Sequence, residues 1–101
     1  MYINYSTSSG LRSTSAQISS QPGSLMGIDA VSPSSGINYL TVYDSEDSNT
    51  TGKLVIAFVE VDAGMVSINH EFFAPVAVNR GIYIEMTGSG SGCSYIARYC
   101  L

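Results

Sequence analysis

The residues Lys53 to Met86, KLVIAFVEVDAGMVSINHEFFAPVAVNRGIYIEM, hold most of the chain's apolar weight and read as a succession of strands with no helix. Val66 to Phe73 alternates, with Val66, Ile68, His70 and Phe72 on one face and Ser67, Asn69, Glu71 and Phe73 on the other. Such period-two alternation is the mark of a strand with unlike faces. Ala74-Pro75 interrupts it, because proline lacks the N–H a ladder needs. Asn79-Arg80-Gly81 is a tight turn into Gly81–Thr87, where Ile82, Ile84 and Met86 oppose Tyr83 and Glu85. Lys53 to Val61 differs, since Leu54 to Val59 is nearly continuously apolar. A strand with one wet face would alternate, so this one is expected to be covered on both sides. One side meets the core; the other must meet an arm, a loop or another subunit.

Outward from this unit the same grammar continues. Gln21-Pro22-Gly23 is a turn, and Ser24–Ser32 is a strand. Strict alternation puts Leu25, Gly27, Asp29 and Val31 on one face and Met26, Ile28 and Ala30 on the other. After the turn Pro33–Gly36, the strand Ile37–Asp44 sets Tyr39, Thr41 and Tyr43 against Asn38, Leu40 and Val42. Cys93 to Leu101 closes the chain as a last strand. About seven to eight short antiparallel strands divided by Gly, Pro, Asn and Asp turns indicate an all-β fold, a single jelly-roll-like β-sandwich with an extended N-terminal segment. Residues 23–101 form the sandwich domain; residues 1–22 precede it. That segment is rich in Ser and Thr, which suits a solvated tail or an edge strand around Leu11–Ile18. Tyr2, Ile3 and Tyr5 favour an arm that orders on a neighbouring subunit.

Composition narrows the function classes. Of the 101 residues only 12% are charged, against a typical ~25%, and the net charge is −4. Surfaces poor in charge lose less on desolvation, which suits an assembly face. Arg12, Lys53, Arg80 and Arg98 are scattered, so no basic stripe exists to neutralise phosphates and no nucleic-acid partner is expected. No apolar run approaches the ~18–20 residues of a helical span, so no membrane partner is expected. MYINYSTSSG lacks the charged and apolar regions of a secretory leader, which leaves Asn4 and Asn49 as unused sequons.

Catalytic and metal chemistry find little support. Asp44, Glu46 and Asp47 crowd three carboxylates together, but one short loop cannot supply the ~6–8 oxygens of a calcium site. His70 is the sole histidine, with no evident nucleophile or orienting group, so it reads as a core or interface residue. Gly88–Gly92 resembles a phosphate loop in composition only, since neither Lys nor helix follows. If Cys93 and Cys100 share a strand they face opposite sides roughly 23 Å apart, too far for a disulfide. No enzyme, cofactor or metal is expected. The interface candidates are Tyr2, Ile3, Tyr5, Leu11, Val55, Ala57, Val59, His70, Phe73, Tyr83, Tyr95 and Tyr99, because tyrosine and apolar groups concentrate in interface cores.

From Leu25 onward the features also follow a family pattern. They are Leu25-Met26-Gly27-Ile28, the strand Leu40-Thr41-Val42-Tyr43-Asp44 with its Ser/Asn/Thr loop to Gly52, Pro75-Val76, Asn79-Arg80-Gly81-Ile82-Tyr83, and Thr87-Gly88. In this order, residues 25–101 resemble the small β-sandwich virion structural proteins of tailed bacteriophages, the capsid decoration or cement proteins. The motifs are strand and turn chemistry, so they speak to fold more than to role. The resemblance implies a homo-oligomer, most simply a homotrimer, made in the host cytoplasm. On the capsid surface it would bridge neighbouring major capsid proteins without catalysis. The alternative is a tail- or fibre-associated module that binds a host receptor or glycan.

Overall fold

The computed structural model describes residues 7–64 and 67–101, the stretch 67–74 by its backbone alone. Eight strands are present: β1 Thr7–Ser8, β2 Ala16–Ser19, β3 Gly23–Val31, β4 Ile37–Asp44, β5 Leu54–Asp62, β6 Ser67–Val78, β7 Ile82–Gly88 and β8 Ser94–Cys100. They form two four-stranded antiparallel sheets, ordered β1-β8-β3-β6 and β2-β7-β4-β5. Pairing is nested: β4 with β5, β3 with β6, β2 with β7, β1 with β8. The chain is therefore one long hairpin whose tip is the loop between β4 and β5. Its rungs fall alternately into the two sheets, which is the double-sheet jelly roll.

The core lies between the sheets. Leu25, Ile28, Leu40, Val42, Val61, Ile82, Ile84, Tyr95 and Ala97 are wholly buried there. β4 alternates as expected, with Asn38, Leu40, Val42 and Asp44 buried. Ile82, Ile84 and Met86 of β7 also turn inward. β3 departs from strict alternation. Its register shifts between Leu25 and Gly27 against both neighbours: Met26 is an extra residue against β8, the extra residues against β6 lie in β6, and the phase of β3 flips. Leu25 and Ile28 consequently share the core face instead of opposing each other. Pro75 does not end a strand either. β6 runs on to Val78, and the same shift, from Leu25 opposite Val76 to Gly27 opposite Glu71, absorbs the interruption.

Residues 7–19 are edge strands to both sheets. β1 pairs with β8, Arg12 bridges Tyr95, and β2 pairs with β7. The link between them closes one side of the sandwich. The Tyr95 hydroxyl, reaching out of the core, donates to the Thr14 carbonyl at 2.7 Å and ties that link down. On the opposite side β5 and β6 remain free edges.

Three segments converge at Gly81. A Cβ there would collide with the Ser19 carbonyl oxygen and come within 2.7 Å of that of Ser45. Backbone cannot retreat as a flexible side chain can. Gly81→Ala is expected to lower unfolding free energy by about 2–3 kcal/mol, read from a urea melt with unchanged slope.

Candidate assembly interface

Loop β4–β5 is built from its own side chains. Ser45 is wholly buried; its hydroxyl donates to the Asp47 carbonyl at 2.7 Å and accepts the Asp47 N–H at 3.3 Å. The three acidic residues are engaged separately. Glu46 pairs with Lys53 at 2.8 Å, which holds its carboxyl below the usual range, and Asp47 accepts the Asn49 N–H at 3.0 Å. Asp44 turns the other way. It accepts the N–H groups of Asn79, Arg80 and Gly81 at 2.8–3.3 Å, filling the concavity of the β6–β7 turn. Burial by itself raises a carboxyl's pKa; the three N–H donors and the Arg80 charge outweigh it and leave Asp44 below its ordinary value. Among the described residues no three of His, Cys, Asp and Glu converge in a way that could hold a metal ion. Cys93 and Cys100 are free thiols, and burial pushes the Cys93 thiol up.

What the fold does present is the outer face of the β2-β7-β4-β5 sheet. Because Leu40 and Val42 point inward, Tyr39, Thr41 and Tyr43 point out. Register places Val55, Tyr43 and Tyr83 in one row across β5, β4 and β7. Phe58, Thr41 and Glu85 form the next row, and Glu60, Tyr39 and Thr87 the third. Tyr39 stacks on Phe58 with ring centroids 5.6 Å apart. This pair lies within ordinary aromatic contact distance and stiffens the face. Among the described residues neither Glu60 nor Glu85 takes part in a salt bridge. The centre of the face is therefore apolar and aromatic, with acidic groups beside it.

Of the covers expected for the second side of β5, none comes from the described residues of the chain itself. β5 is an edge strand, and no described part of the chain lies over its outer face: Phe58 is 57% exposed and Val55 49%, while Leu54, 68% exposed, pairs with the inward Asp44 on the other side. The unbroken apolar run has another cause. Register shifts between Val42 and Tyr43 make Ile56 an extra residue. The phase flips there, so Ala57, Val59 and Val61 face the core while Val55 and Phe58 face out.

The remaining interface candidates separate. Val59 and Tyr95 are buried in the core, and the partly buried Ala57 and Tyr99 pack against it. Burial pushes the Tyr95 phenol up to about 12. Tyr83 is half-buried on the outer face beside Tyr43 and Val55. Leu11 is 64% exposed, alone on the β1–β2 link. Tyr2, Ile3 and Tyr5 lie outside the described residues, as do the side chains of His70 and Phe73. The sequence points to the Leu54–Val59 run and to Tyr39 separately, but not to the pairing of Phe58 with Tyr39 on one face. The parity of Tyr39 with Tyr43 was legible, but Phe58 joins them only because of the bulge at Ile56. Comparison with family models, with curated proteins and with solved structures finds no match to this chain.

Proposed function

We propose that the chain is a non-enzymatic structural module that assembles through the outer face of the β2-β7-β4-β5 sheet. Its setting in this reading is a tailed-phage virion, where it decorates or cements the capsid surface as a homo-oligomer bridging major capsid proteins. The observation that carries the assembly reading is β5, an edge strand with Val55 and Phe58 exposed together on its outer face in a chain short of charge. Long apolar edges invite pairing and are usually blunted by lysine or proline. Between Leu54 and Asp62 there is neither. The virion setting draws on the resemblance of residues 25–101 and on the jelly roll, an architecture that recurs in viral capsids and in lectins. Fold by itself does not give function. By mass action a module that binds only the expanded lattice would stabilise that lattice.

The stacked Tyr39–Phe58 pair favours a second reading, a receptor- or glycan-binding platform at a tail or fibre. One substitution separates the two when scored twice. Phe58→Asp is expected to dissociate the oligomer in light scattering while shifting unfolding free energy by under about 1 kcal/mol, since the side chain is already solvated. Selective glycan binding by a monomeric wild type, lost in the same variant, would replace the assembly reading by the platform.

A further inference from the structure

Resting on the assembly reading, we infer that its contact is head-to-tail: the edge formed by β1, β2 and their link in one copy docks on the outer face of the β2-β7-β4-β5 sheet of the next, and sets Arg12 beside Phe58 and Glu60. Charge singles out these two surfaces. Lys53 and Arg80 are paired with Glu46, and Arg98 with Asp29. Among the described residues Arg12 is the one lysine or arginine outside a salt bridge; its Nε donates to the Ser9 carbonyl at 3.2 Å. Arg12 is exposed, and Leu11 beside it is 64% exposed. The outer face holds the complement. Glu60 shares a row with Tyr39, and Glu85 shares one with Phe58. The three rows of that face hold no lysine or arginine. A guanidinium brought there meets a carboxylate and an aromatic ring together. Leu11 adds an apolar group to match Val55 and Phe58.

The face fits itself poorly. Set against its own equivalent it would bring acids to acids and leave Arg12 unused, and like charges at a contact are costly. Nor does Arg12 serve the face of its own chain. Its N–H donates to the Tyr95 carbonyl and its carbonyl accepts the Tyr95 N–H, both at 2.8 Å, which fixes it beside β8. From there the chain runs into β2, the edge strand opposite β5 in the other sheet. Three strand spacings of ~4.8 Å part β2 from β5, more than a side chain spans. Arg12 therefore meets Phe58 and Glu60 of a neighbour. The giving edge and the receiving face lie on different sides of the sandwich, so each copy does both. Such a contact closes into a ring when the rotation permits.

The test is charge exchange in the full-length chain. Arg12→Glu and Glu60→Arg are each expected to raise the dissociation constant of the assembly at least about tenfold in sedimentation velocity. Both substitutions in one chain are expected to bring it back to within about threefold of wild type, because the pair is rebuilt with its signs reversed. Circular dichroism checks that each variant folds. Leu11→Asp, on the same edge, replaces Arg12→Glu if that variant does not, with the same loss expected. An edge variant, Arg12→Glu or Leu11→Asp, that assembles as wild type while Phe58→Asp does not would overturn the contact and leave assembly through the sheet standing. A double variant no better than its folded single variants would also overturn it. A monomeric wild type would remove both the contact and the reading it rests on.

Discussion

Replacing Asp44 by alanine is expected to destabilise the domain by about 3–4 kcal/mol, because it strips the acceptor from the part-buried N–H groups of Asn79 and Arg80 and the buried one of Gly81. Hydrogen bonds to an ionised group are worth more than neutral ones, and a donor left unpaired in a buried place costs its full desolvation. The turn joins β6 to β7, so it connects the two sheets. The pH dependence has a definite sign. The folded pKa of Asp44 lies below its unfolded value, so its contribution is complete above about pH 4 and is lost as pH falls through the folded value. Urea melts across this range should show the wild type losing stability in acid faster than Asp44→Ala. Parallel acid profiles would mean that the turn is held by something other than this carboxylate.

Tyr95→Ala is expected to cost as much or more, about 3–5 kcal/mol, since it removes the largest wholly buried side chain among the described residues and leaves a cavity. Tyr95→Phe isolates the hydroxyl. It keeps the ring and deletes the 2.7 Å bond to the Thr14 carbonyl, for a cost of about 1 kcal/mol. That loss should fall on the β1–β2 link, seen as faster amide exchange between Ser9 and Ser15. The alkaline side carries its own signature. Burial raises the folded phenol to about 12, so the stabilising effect of the neutral form is full below its unfolded pKa and fades between about pH 10 and 12. The phenylalanine variant lacks that part of the alkaline decline. An unchanged alkaline profile in Tyr95→Phe would contradict the assignment.

Particular residues show how far the sequence is legible. β4 and β7 read cleanly because period two survives from end to end, and Tyr39, Tyr43 and Tyr83 fall on the outer face accordingly. β3 and β5 do not, because one extra residue in each, Met26 and Ile56, reverses every side chain beyond it. Nothing in a single sequence marks a bulge among apolar residues. The β5 run, which reads as apolar on both sides, is one strand whose faces exchange, and its outer side lies open within the described chain. Asp44 is the opposite case. It falls in phase with the inward residues Asn38, Leu40 and Val42, and an acid in that register signals a buried partner. Its proximity to Glu46 and Asp47 hid the signal in what looked like a solvated loop. The N-terminal edge strands were only one of several readings, since their Ser- and Thr-rich composition fits an edge and a tail equally well.

In the proposed assembly the open face on β5 is the contact surface, and its occupancy in the protein alone is the most direct test. Sedimentation velocity of the unmodified chain, from micromolar to millimolar concentration, should give a closed species of three times the 10.7 kDa chain mass. That species should persist on dilution well below the working range. A mass of 10.7 kDa throughout would contradict assembly through this face and leave Val55 and Phe58 to a partner of another kind.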